Sequence, residues 1–76
     1  MKTVQISLNS IDKVKSFVNA ITQYEYDFDL ISGRYVIDAK SIMGIFSLDL
    51  SKPIDLAINA EANVDEIMET LKPYLI

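Results

Sequence analysis

The sequence predicts an α+β open-faced sandwich, a four-stranded and mostly antiparallel sheet with three helices on one face. Three observations carry that prediction. Segments of period-two hydrophobicity are interleaved with segments whose apolar residues recur at three- and four-residue steps. The alternating segments are apolar on one side only, as expected of an antiparallel sheet with one solvated face and helices packed on the other. Half of the 76 residues are apolar, enough for a core and too many for a disordered chain. The element order reads βα-ββ-αβ-α, within a single domain spanning residues 1–76.

In "TVQISLN", Val4, Ile6 and Leu8 alternate with Thr3, Gln5 and Ser7, which predicts a half-buried strand. Ile11, Val14, Phe17, Val18 and Ile21 then fall on one face of a helix, whose start Asn9 or Ser10 can cap. Alternation returns in "YEYDFDLIS", where Tyr24, Tyr26, Phe28 and Leu30 oppose Glu25, Asp27 and Asp29. Ser32-Gly33 provides a turn, and "RYVIDA" completes a hairpin. "SIMGIFSL" fits a pair of helical turns with Ser41 at its start. Pro53 marks a break before the strand "IDLAIN". Asn63 is placed to cap a last helix carrying Val64, Ile67, Met68, Leu71 and Leu75, with Glu66 completing a capping-box pattern and Pro73 fraying the final turn.

Composition removes several chemistries. Without histidine or cysteine there is no triad, thiol nucleophile, disulfide or ordinary zinc site. Gly33 and Gly44 are the only glycines, so no glycine-rich phosphate loop exists. The net charge of −4, with its cations spread out, disfavours nucleic acid. No apolar run is long enough to insert in a membrane. Glu25, Asp27 and Asp29 read as the solvated side of a strand rather than a cation site, because calcium loops need a different spacing and a glycine. The expectation is a non-enzymatic, cofactor-free cytoplasmic protein, a monomer or weak dimer, that works by meeting other proteins.

The element order and the segment "AKSIMGIFSL" together resemble HPr, the small phosphocarrier of the bacterial sugar phosphotransferase system. Residues 39–50 carry most of the likeness, and the tail "IDLAINAEANVDEIMETLKPYL" follows more loosely. In that family a histidine at the start of the first helix accepts a phosphoryl group from enzyme I, beside an arginine. Here "SIDKVKSF" stands in that place, with Asp12 at the histidine position, Val14 at the arginine position, Lys15 at a proline position and Ser10 at a glycine. Relay through histidine is therefore impossible. Ser41, by contrast, falls on the serine that HPr kinase/phosphorylase modifies, and Lys40, Ile42, Met43 and Gly44 match its surroundings. Gly33 stands one residue further from this serine than the family pattern implies, which predicts a bulge or longer turn in the hairpin. Relatives that lost the histidine and kept the serine (Crh-like proteins) are regulatory partners of a transcription factor.

Each of these residues also has a plain structural reading. Ser41 is a good helix cap, whose contribution is about 1 kcal/mol, and a phosphate there is compatible with that role. Asp12 complements the helix dipole by about 0.3–1 kcal/mol, with a phosphohistidine mimic or an aspartyl acceptor as the sharper alternatives. Ile42, Met43, Ile45 and Phe46 cannot all point inward within two turns, so Ile42 and Met43 are expected at the surface, with Phe46 open to either place. Lys40, Ile42, Met43 and Phe46 are then the candidate partner-binding residues, facing HPr kinase/phosphorylase, an enzyme I-like protein or a transcription regulator.

Two other functions compete with an HPr-like module switched at Ser41. One is a diverged partner-binding domain without phosphorylation. The other is an acyl-carrier-type protein, also small and acidic with a serine near "SLDL", but all-helical. Far-ultraviolet circular dichroism separates the last from the first two: a mixed helix–strand spectrum is expected, and an all-helical one would reject the sandwich.

Overall fold

The computed structural model describes residues 2–76, and its elements follow the expected order. They are β1 (Lys2–Ile6), α1 (Ile11–Thr22), β2 (Asp27–Ser32), β3 (Tyr35–Asp38), α2 (Ile42–Phe46), β4 (Ile54–Asn59) and α3 (Val64–Leu71). A 3₁₀ turn over Lys72–Tyr74 extends α3. The strands form one sheet in the order β1-β4-β2-β3, with every pairing antiparallel.

Alternation decides which face is buried. Ile6, Phe28, Leu30, Ile54, Leu56 and Ile58 point from the sheet into the core. Val14, Phe17 and Ile21 of α1, Ile45 of α2, and Ile67 and Leu71 of α3 meet them from the helical layer. Burying one such side chain contributes about 1.5–3 kcal/mol, so these contacts hold the two layers together. On the other face, register aligns Thr3 with Ala57, Ala57 with Asp29, and Asp29 with Asp38. That face is polar and predominantly acidic.

Local chemistry sets the element ends. Ser10, in extended conformation, accepts a 3.1 Å hydrogen bond from Lys13 N and so caps α1, leaving Asn9 without that role. The strand forecast from Tyr24 begins only at Asp27, because β4 ends at its partner Asn59 and offers no ladder further out. Tyr24 instead closes α1 through Tyr24 N to Ile21 O at 3.1 Å, and its hydroxyl meets Thr70 Oγ1 at 2.8 Å.

The β2–β3 turn is Gly33-Arg34 rather than Ser32-Gly33. Gly33 has φ +60° and stands first of the two turn residues, the arrangement of a type II′ hairpin, which suits the strand twist. Register runs unbroken from Ser32–Tyr35 to Asp29–Asp38, so the expected bulge or longer turn is absent.

Two further expectations need correction. Asn63 does precede α3, but with φ 60° and no side-chain cap bond; its amide lies 3.4 Å from Tyr26 Oη. The backbone conformation turns the side chain away from the helix start, so the capping box with Glu66 does not form. Leu75 leaves the helix, because the tail tightens from Lys72 into the 3₁₀ turn that contains Pro73 and then runs beside β1. There Ser7 N donates to Tyr74 O at 2.9 Å and Ile76 N to Gln5 O at 3.2 Å. Tyr74 fastens this tail from beneath, edge-on to Phe17 at 5.6 Å and hydrogen-bonded to Ser16 Oγ at 2.7 Å.

Because Ser10 alone caps α1, Ser10→Ala is expected to destabilise the protein by about 1 kcal/mol, or roughly 4–8 °C in Tm. Calorimetry of the two proteins measures this, and an unchanged Tm would reject the cap's contribution.

Candidate functional site

The segment after β3 is organised from its backbone outward. Asp38 Oδ1 accepts from Lys40 N at 2.9 Å, and Asp38 O accepts from Ser41 N at 3.0 Å. This double turn ends the strand and places Ser41, extended at φ −94° and ψ 99°, at the start of α2. Its Oγ accepts from Gly44 N at 3.4 Å, a longer bond than the Ser10 cap. The hydroxyl is therefore exposed and only loosely engaged.

Five helical residues then divide between core and solvent. Ile45 is fully buried, and Ile42, expected at the surface, is half-buried against the core instead. The reason is periodicity: residues three apart share a helix face, so burying Ile45 draws Ile42 inward. Met43 is 78% exposed and Phe46 40% exposed, which resolves the placement of Phe46. Lys40 turns inward as well. Its Nζ donates to Tyr24 O at 2.7 Å and lies 5.7 Å from the centre of the Phe28 ring. Its charge thereby joins the half-buried segment to the end of α1.

Gly44 explains how so short a helix sits this close to the sheet. A Cβ there would fall 2.7 Å from Ile37 Cγ2 of β3 and 3.3 Å from Ser41 Oγ. The glycine thus permits both the approach of α2 to β3 and the position of the serine hydroxyl. In the sequence Gly44 stands out only as part of a motif; its packing role depends on a contact with β3 that periodicity does not reveal.

On α1, Asp12 is exposed in the first turn and Val14 is fully buried. Val14 thus serves the core and presents no group at the surface. Among the described residues Asp12 makes no side-chain hydrogen bond or ion pair. Ile11, assigned by periodicity to the buried face, is 61% exposed. It stands at the first helical position, where no preceding turn covers it. Since α1 and α2 pack on each other, Ile11, Met43 and Phe46 are three exposed apolar side chains on two touching helices. Beyond α2, Asp49 Oδ1 accepts from Ser51 Oγ at 2.6 Å and Ser51 N at 3.1 Å. These bonds, with the nearby Lys52 charge, hold its carboxyl below the usual carboxylate range.

Among the described residues no acidic group of three could hold a metal ion, and no helix is long and apolar enough to cross a membrane. The surface between Lys40 and Phe46 therefore offers a hydroxyl and apolar contact area, the material of a modest protein interface.

Comparison with known proteins gives the same frame. Residues 13–75 match the PTS-HPr family, described as the PTS HPr component phosphorylation site. The fold is similar to that of HPr-C-His from Thermoanaerobacter tengcongensis, with TM-score 0.77 and 24% identity over 96% of this chain and 89% of that one. It is also similar to the phosphocarrier protein HPr from Bacillus anthracis, with TM-score 0.71 and 27% identity over 99% of this chain and 94% of that one. No curated protein sequence matches.

Alanine normally favours a helix over glycine by about 1 kcal/mol, yet a Cβ at position 44 would meet a stiff β-branched neighbour. Gly44→Ala is therefore expected to destabilise by about 1–3 kcal/mol, measured by urea unfolding, and a stabilised variant would show that α2 does not press on β3.

Proposed function

The chain belongs to the HPr family, and from that premise we propose that it is a non-catalytic interaction module whose docking is controlled at Ser41. The observation that carries this reading is an exposed, loosely bonded serine hydroxyl next to exposed Met43 and Phe46, in a chain with no histidine. Relay through histidine is closed to such a chain. On this reading Asp12, exposed in the first turn of α1 where the family's histidine would stand, takes that residue's place as an acidic side chain that mimics its phosphorylated form.

Phosphorylation of Ser41 would add nearly two negative charges beside an apolar patch. Desolvating that charge opposes an apolar partner, and repulsion opposes an acidic one, so docking is switched off. The partners that suit this scheme are an HPr kinase/phosphorylase acting on Ser41, and an enzyme I-like protein or transcription regulator meeting Met43 and Phe46, in the cytoplasm. Lys40 supports the scheme indirectly, by anchoring the segment to Tyr24 O. A second reading, a partner-binding domain without phosphorylation, is favoured by the cap bond that already occupies Ser41 Oγ.

Incubation with HPr kinase/phosphorylase and ATP separates the two readings. Wild type is expected to gain the mass of one phosphoryl group and Ser41→Ala none. Equal behaviour of the two proteins would sink the switch and leave the second reading.

A further inference from the structure

The free edge of the sheet is self-complementary. The opposite edge is partly closed, because the tail residues Tyr74–Ile76 bond to Gln5–Ser7 alongside β1. On the far side, among the described residues, β3 pairs only with β2. It is short and carries two exposed apolar residues side by side, Tyr35 at 68% and Val36 at 66%.

The ladder fixes which backbone groups face outward. A two-residue turn makes Ser32 and Tyr35 a hydrogen-bonded pair, and Ala39 N donating to Phe28 O at 2.8 Å keeps that phase. Residues 35, 37 and 39 therefore spend their amides on β2, and those of Arg34, Val36 and Asp38 point away from the sheet. The side chains of Val36 and Asp38 share the solvent face, since Val36 lies opposite Ile31 and Asp38 opposite Asp29, and Arg34 stands in the adjoining turn.

The geometry points to an antiparallel β3–β3 dimer with a second copy of this chain, centred on Val36 opposite Val36. In that register the two Val36 residues exchange backbone bonds, and Arg34 of each copy stands opposite Asp38 of the other. On the helical side, Tyr35 meets Ile37 of the second copy in the closely spaced, non-hydrogen-bonded positions. Both exposed apolar residues become covered.

Charge selects this occupant over a generic strand. Asp29 and Asp38 are paired across β2 and β3, a like-charge juxtaposition; each accepts one neutral hydrogen bond, Asp38 from Lys40 N at 2.9 Å and Asp29 from Asn59 Nδ2 at 3.4 Å, and among the described residues neither has a salt bridge. Arg34, the only arginine, also has none. Dimerisation delivers that arginine to the Asp29–Asp38 pair twice over, by symmetry. The contact is isologous, and with the β1 edge partly covered it closes at two chains instead of propagating. The surface involved is small, so the association is weak and seen at high concentration. The inference does not depend on Ser41.

Sedimentation equilibrium up to about 1 mM chain tests it, a range in which weak association becomes visible. Wild type is expected to move toward twice the monomer mass. Arg34→Asp, which places acid opposite acid, should weaken this by about tenfold or more. Asp38→Arg should do likewise, and mixing the two variants should restore association, because each then presents the charges the other lacks. Val36→Pro removes the outward N–H while sparing the β2 ladder, and should give a monomer with an unchanged circular dichroism spectrum. A wild type that stays monomeric throughout overturns the proposal, as does a dimer indifferent to Arg34→Asp. Should Asp38→Arg or Val36→Pro unfold, Arg34→Asp at the exposed turn still decides the matter.

Discussion

Antiparallel pairing of β4 with both β1 and β2 is the interaction on which the remaining structure rests. The first strand and the central hairpin lie far apart in the chain and, among the described residues, are joined in the sheet through β4, which arrives late in the sequence. Its Ile54, Leu56 and Ile58 fill the middle of the core, and even Ala57, on the outer face, is buried between its neighbours. Two half-sheets therefore wait on one segment. The entropy of closing those long loops is lost before the contacts form, which makes these pairings the costly, non-local part of the fold.

That arrangement also explains why the serine segment can be so slight. A five-residue helix has little stability of its own, and α2 borrows its stability from Ile45 in the core, Gly44 against Ile37, and Lys40 on the end of α1. With those three points fixed, Met43 and Phe46 are left over for solvent. Exposed apolar surface here is a geometric remainder of anchoring a short helix, and an interface can be built from it without disturbing the core.

Much of this was legible in the residues. Period-two and period-3.6 patterns mark β1, β2, β4, α1 and α3, because one-sided burial imposes those periods directly, and the hairpin turn implies β3; the 3₁₀ turn at Lys72–Tyr74 has no such signal. The family likeness singles out Ser41 as a candidate, and the missing histidine is plain. What stayed hidden depended on partners distant in sequence. Tyr24 continues a strand pattern, yet β4 ends before reaching it. Ile42 looked superficial until the burial of Ile45 fixed the helix's rotation. Tyr74 drew no notice as a single aromatic in a tail, and its role came from meeting Phe17 and Ser16 across the fold. The spacing of Gly33 suggested an irregular hairpin, whereas a type II′ turn accommodates it with an unbroken register.

The left-handed backbone of Asn63 has an implication for how this sequence can drift. By the logic of helix caps, serine and threonine are natural replacements for asparagine, and a lineage would be expected to wander among them. With φ at 60° and no cap bond to preserve, the constraint is a different one. Glycine enters freely and aspartate at small cost, while β-branched threonine is pushed against its own backbone. The routes open at this position are those of a turn, although it stands where a helix begins.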